Sequence, residues 1–148
     1  MKFILEQSDE WSDVEIRVRC GQIDKSLEKL IEQIRLYGFS ITGEKDGETF
    51  TINLEQIFYF ETVDNRTYAY CEDSVYECKQ KLYELEERLG TMNFQRISRS
   101  CILNIYKLLS IRTLLNGRVE AKLENGEKLI VNRHYAESLR QKIEEQGV

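Results

Sequence analysis

The chain of 148 residues has no proline and one histidine. Without proline, and without any Ser/Gly-rich tract, it lacks the composition of a flexible linker. One domain usually takes about 100–200 residues, so one compact unit or two closely packed pieces is expected. No apolar run approaches the roughly 18 residues needed to span a bilayer. The opening Met1-Lys2-Phe3-Ile4-Leu5 meets Glu6 before a signal-peptide apolar region can form, so a cytoplasmic location is expected. Cys20, Cys71, Cys78 and Cys101 include no C-x-x-C pair, and His134 lies far along the chain from most of them. No metal site is therefore expected, and the thiols read as small hydrophobes in a reduced core. A Gly-rich phosphate loop, G-x-S-x-G and H-E-x-x-H are all missing. The carboxylates of Glu84, Glu86 and Glu87 fall where a solvated helix face is expected. The pattern implies no enzyme chemistry and no cofactor.

What is present is charge, unevenly spread. The net charge is −5, which suits a polyanion binder poorly. Residues 91–135, however, carry eight basic against three acidic side chains, while residues 1–90 are strongly acidic. A polyanion responds to the local field, screened beyond roughly 8–10 Å, so the asymmetry permits nucleic-acid binding.

The chain divides into two patterns. Residues 1–43 hold a period-two stretch, Val14, Ile16 and Val18 alternating with Glu15, Arg17 and Arg19, which predicts a half-exposed strand. A helix follows, with Asp24 as N-cap, Leu27, Leu30, Ile31 and Ile34 on one face, and Gly38 as its stop. One strand and one amphipathic helix cannot bury their own apolar faces. They pack on the rest of the chain or on a second copy, and the segment is read as a dimerisation element, with a cap on a monomer as the alternative.

Residues 44–148 predict a mainly β (α+β) domain. Asp46-Gly47, Asn116-Gly117 and Asn125-Gly126 are hairpin-turn dipeptides. They separate strands at Phe39–Thr42 and Thr49–Asn53, Leu109–Leu115 and Arg118–Leu123, and Arg118–Leu123 and Lys128–Val131. Further strands are expected at Ile57–Thr62, Thr67–Cys71 and Ser74–Cys78, with Asp64-Asn65 and Glu72-Asp73 at the turns. A helix over Lys81–Leu89 turns Leu82, Leu85 and Leu89 inward and ends at Gly90. A last helix, Tyr135–Gln146, turns Leu139 and Ile143 inward.

Three polar clusters are candidates for binding. In Phe94–Asn104, Phe94, Ile97, Ile102 and Leu103 anchor the chain while Ser98, Arg99 and Ser100 project; Arg96 and Lys107 flank them. Arg presents a planar fork that fits guanine O6 and N7 or a phosphate, and Ser and Asn donate to phosphate oxygens. Asn132-Arg133-His134 sits at a helix start, where backbone N–H groups add an anion site. The turn Asn65-Arg66-Thr67 is the third. Each cluster alone is an ordinary solvated surface.

Together these residues resemble a known family. Ile57-Phe58-Tyr59-Phe60-Glu61-Thr62, then Phe94-x-Arg96-x-Ser98-Arg99-Ser100-x-Ile102-x-Asn104, the Asn-Gly turn after Leu115, and Arg133 at a late helix start resemble the LytTR DNA-binding domain over roughly residues 45–143. The likeness is to its short, stand-alone, receiver-less transcriptional regulators. It implies an elongated antiparallel β-fold whose loops enter successive major grooves of double-stranded DNA, and a homodimer. The readers would be Asn65–Thr67, Ser98–Ser100 and Arg133; Asn104 would make a structural hydrogen bond, and Phe58, Phe60, Leu82, Leu85, Phe94 and Ile102 would be core. A membrane-protein antagonist encoded nearby is a further implied partner, although no residue displays it. Ser98 replaces a His common in the family and Asn132 a Ser, which points to a different site preference. The rival reading is a protein-interaction module that keeps the fold and binds a protein through the acidic surface of residues 1–90. A DNA reader exposes Arg66, Arg99 and Arg133 together, whereas the rival buries or scatters them.

Overall fold

The computed structural model describes residues 1–37 and 39–145. The helix stop expected at Gly38 and the helix end expected at Gln146 lie outside them. The chain order is α1 (Lys25–Tyr37), β1 (Ser40–Lys45), β2 (Glu48–Asn53), β3 (Ile57–Val63), β4 (Arg66–Cys71), β5 (Val75–Cys78), α2 (Leu82–Leu89), β6 (Phe94–Ser98), β7 (Cys101–Asn104), β8 (Leu108–Thr113), β9 (Val119–Leu123), β10 (Lys128–Val131) and α3 (Arg133–Glu145). Short 3-10 turns at Leu54–Gln56, Ile105–Lys107 and Leu115–Gly117 join strands.

All pairings are antiparallel. Seven strands form one sheet in the order β2-β1-β5-β4-β3-β7-β6, and three form a second, β10-β9-β8. Period-two alternation gives the large sheet two apolar faces. Phe60, Ala69, Phe94 and Ile102 pack on one side with Leu82, Leu85 and Leu89 of α2, all within one buried cluster. Tyr59, Cys101 and Leu103 pack on the other with Val119, Ala121 and Leu123 of the small sheet and Leu139 of α3. Each core is thus shared between the large sheet and a different cover, which fixes how β6–β7 sit relative to α3.

Local signals explain most elements. Asp24 caps α1, its carboxylate accepting the Leu27 N–H at 2.8 Å. Asp46-Gly47 and Asp64-Asn65 all have positive φ, as two-residue hairpin turns of the primed kind require. All six side chains expected in the core are buried, Phe58 in the second cluster and the other five in the first. Asn104 is 1% exposed; its amide donates to Ile57 O at 2.7 Å and its oxygen accepts the Tyr106 N–H at 3.0 Å.

The front of the chain departs from expectation. Residues 14–18 form no strand; residues 1–24 have no regular secondary structure, and Val14, Ile16 and Val18 are exposed. Alternation prepares a strand but cannot supply an edge to pair with. Gly43 lies inside β1, which straddles the boundary placed after it. A Cβ there would come within 2.6 Å of Ile52 Cδ1 and 2.7 Å of Tyr76 Cβ, so this glycine serves close packing rather than a turn. Cys78 and Cys101 are buried as small hydrophobes, but Cys20 is exposed.

Candidate nucleic-acid interface

Two backbone hydrogen bonds bring the three candidate segments together. The Thr62 N–H donates to Ser100 O at 2.8 Å, tying the end of β3 to the β6–β7 turn. The Asn132 N–H donates to Ile97 O at 2.8 Å, tying the start of α3 to the same turn. The β3–β4 turn follows Thr62 within two residues, since Val63 pairs with Arg66. Asn65–Thr67, Ser98–Ser100 and Asn132–His134 are therefore neighbours at one end of the large sheet, in that order.

The central turn is the most constructed of the three. A bulge at Ile97, where Arg96 opposes Ile102 and Ser98 opposes Cys101, pushes Ile97 into the second core and swings Arg99-Ser100 outward. Ser98 Oγ accepts the Ser100 N–H at 3.2 Å, an internal brace for a turn without glycine. Arg96 faces inward: Nε donates to Ser98 O at 2.8 Å, one terminal nitrogen donates to Arg99 O, and the other meets Glu86 Oε2 at 3.0 Å. Its side chain is only 19% exposed. Arg96 is placed to hold the turn, and Arg99 to leave it. Arg99 is exposed, and no hydrogen bond or ion pair of its guanidinium is made among the described residues.

At the start of α3, Asn132 is the N-cap, its side-chain oxygen accepting the His134 N–H at 3.0 Å. Arg133 and His134 occupy the first helical positions and are exposed, at the positive end of the helix dipole. The third segment differs. Thr67 is 3% exposed, its hydroxyl 3.5 Å from that of Thr62, so it is a packing residue of the sheet. Arg66 is exposed but leans toward Glu77, 3.8 Å away. Asn65 is exposed, and its carbonyl accepts from Lys81 Nζ at 3.4 Å.

Sequence reasoning missed two supports. The 3-10 turn Leu115–Gly117 lies against α3, where a Cβ on Gly117 would stand 3.4 Å from the Arg133 Cβ. It adds exposed Arg118 near the site; Asn116-Gly117 signalled only a hairpin. Lys142 of α3 donates to Gly90 O and to Phe94 O, the latter at 2.8 Å, pinning α3 to the end of α2 and the root of β6. Burial holds its pKa below the usual lysine value. Its spacing from Leu139 gave only a solvated cation. Among the described residues no cluster of His, Cys, Asp and Glu is placed to hold a metal ion, and no helix is long and apolar enough to cross a membrane.

The comparisons with known proteins agree with this geometry. The sequence model of the LytTr DNA-binding domain matches residues 47–144. The LytTr DNA-binding domain of a response regulator from Bacillus cereus superposes with a TM-score of 0.67 at 25% identity, covering 70% of this chain and 95% of that one. Uncharacterized HTH-type transcriptional regulators of Staphylococcus aureus strains NCTC 8325 and COL are each 27% identical over 104 residues, 70% of either chain. Despite that label, no two α-helices are consecutive among the described residues, so the surface offered here is built from turns and a helix start. With its mainly antiparallel β-fold, the chain belongs to the LytTR DNA-binding domain family.

Proposed function

We propose that the protein is a sequence-specific transcriptional regulator that binds double-stranded DNA as a homodimer in the cytoplasm, its turns reading successive major grooves. The observation that carries this reading is the pair of backbone hydrogen bonds, Thr62 to Ser100 and Asn132 to Ile97, which gathers Arg66, Arg99 and Arg133 at one end of the molecule with their side chains exposed. A protein-binding scaffold of this fold has no need to gather them. In the proposed complex Arg99 and Arg133 contact bases or phosphates, Asn65, Arg66, Ser98, Ser100, Asn132 and His134 position the backbone, and Arg96 and Thr67 act from behind by shaping the turns. The adjacent Arg118 extends the basic surface.

Each well-made bidentate Arg–base pair contributes about 1–3 kcal/mol of discrimination. Arg99→Ala and Arg133→Ala are expected to abolish specific binding in a mobility-shift assay on a selected operator while leaving the melting temperature unchanged. Wild-type affinity in both variants would remove them from the interface.

A further inference from the structure

We infer that residues 14–18 are an exchange strand: in the dimer each copy lays Val14–Val18 along the open edge of β2 in the other. The inference rests on the homodimeric reading above and supplies its contact.

The first observation is an excess of uncovered apolar surface in one place. Nine large apolar side chains between Met1 and Ile23 are exposed, among them Trp11 at 57%, Val14 at 83% and Ile16 at 57%. Soluble monomers scatter such residues singly; a contiguous run marks a contact surface. The run is patterned rather than random, since Val14, Ile16 and Val18 alternate with Glu15, Arg17 and Arg19, giving an extended chain one apolar and one charged face.

The second observation is the edge itself. The large sheet ends at β6 and β2. The β6 edge is occupied: Ile97 O takes the Asn132 N–H and Phe94 O takes Lys142 Nζ. The β2 edge pairs with nothing among the described residues, which leaves a row of backbone donors and acceptors open to another strand. Its side chains match the incoming pattern. Ile52 is 2% exposed and half-buried Phe50 shares its face, whereas Thr49 and Thr51 are exposed on the other. Val14, Ile16 and Val18 beside Phe50 and Ile52 would lengthen the α2-side core, and Glu15 and Arg17 would lie beside the threonines.

The third observation selects a second copy over the chain's own strand. Helix α1 ends on the β2 side, where Phe39 O accepts the Leu54 N–H at 3.3 Å. It begins on the β7 side, where Lys29 Nζ is 5.8 Å from the ring centre of Tyr106 in the turn leaving β7. Residues 19–24 reach about 20 Å when fully extended. From β7 to a position outside β2 is six strand spacings of about 4.8 Å, or about 29 Å. The connection cannot bring the strand back to its own β2. A two-fold partner has no such limit, and exchange closes both edges at once.

The test uses the full chain with Cys20→Ser in every variant. Sedimentation should give a dimer, and Ile16→Asp/Val18→Asp should give a monomer with an unchanged melting temperature. Chains carrying Arg17→Cys, mixed with chains carrying Thr49→Cys or Thr51→Cys, should form a disulfide-linked species of twice the chain mass under mild oxidation. A monomeric wild type, a dimer that survives the aspartates, mixed chains that do not link, or Arg17→Cys linking instead to Ser110→Cys or Lys128→Cys on the small sheet would each overturn the exchange. So would linkage within one chain in the Arg17→Cys/Thr51→Cys double variant. DNA binding is read separately on a half-site duplex. The monomeric variant should still bind it; a linked, dimeric protein that binds no DNA would refute the DNA reading and leave the exchange standing.

Discussion

Arg96 separates a residue that touches DNA from one that shapes the turn doing so. Its guanidinium donates to Ser98 O and Arg99 O and pairs with Glu86. A buried hydrogen bond to a charged group contributes about 1.5–3 kcal/mol. Here both carbonyls belong to an exposed turn that water can reach, and the Glu86 carboxylate is 49% exposed, where an ion pair contributes about 0–1 kcal/mol. Arg96→Met keeps the apolar stem and removes the donors, so the expected cost is about 1–2 kcal/mol, a fall of roughly 3–8 °C in melting temperature for a chain of this size. The freed turn must then be ordered on binding, at about 1–2 kcal/mol per residue fixed, so operator affinity should fall about tenfold or more. Because the guanidinium faces inward and neutralises no phosphate, the slope of log affinity against log salt should not change. Arg99→Ala should behave in the opposite way: stability within about 0.5 kcal/mol of wild type, and a slope shallower by about 0.9 if Arg99 meets a phosphate. Differential scanning fluorimetry with salt-titrated mobility shifts measures both quantities. An Arg96→Met variant of wild-type stability whose salt slope falls by about 0.9 would refute the inward assignment.

Two other measurements follow from the core. Asn104→Leu leaves Ile57 O and the Asn93 amide without their buried partner; at about 1–3 kcal/mol for each unsatisfied group, a melting temperature roughly 10 °C lower is expected by circular dichroism, and an unchanged value would mean the network is dispensable. Alkaline stability tests burial: Cys78 is pushed up from 9.0 to about 11, chiefly by burial, and Tyr106 from 10.0 to about 12 by burial and then Glu32, while Cys101 is raised further still by burial. The unfolded chain loses these protons first, so it binds fewer above about pH 9 and stability should fall as pH rises from there. Lys142, lowered from 10.5 by burial, opposes the trend alone, so a melting temperature that holds or climbs between pH 8 and 11 in reducing buffer would contradict the buried thiols.

Sequence was most informative where a local rule and the tertiary fold agree. Leu82, Leu85 and Leu89 repeat at helical spacing and all three are buried; the Asp-Gly and Asp-Asn turns demand positive φ and have it. It was less informative where the deciding partner is remote. Arg96 and Arg99 look alike in a list of basic residues, and only a carboxylate ten positions away and two carbonyls of a bulged turn make one a brace and the other a free cation. Lys142 is separated by some fifty residues from the carbonyls it caps. Thr67 sits at a turn yet faces the Thr62 hydroxyl because register, fixed by the pairing of Val63 with Arg66, turns it inward. The strand pattern at residues 14–18 could not reveal that no edge of its own is within reach.

The same distinction explains how an acidic protein can meet DNA. Charge in the chain is not mixed but sorted by element: α2 and the strands before it hold the carboxylates, and β6 onward holds the excess of cations. The fold then spends part of that excess internally, on Arg96, Lys142 and the pairing of Arg112 with Glu120. What remains exposed at the gathered end is a small number of guanidinium groups fixed by backbone hydrogen bonds rather than a broad basic field. Screening beyond about 8–10 Å lets those groups act while the acidic remainder lies out of range. A repulsive far side also disfavours any approach but one, so the negative net charge helps to set orientation. Affinity in such an arrangement depends on few contacts and therefore on their geometry, which is why the bulge at Ile97 and the brace at Arg96 matter as much as the arginines that face outward.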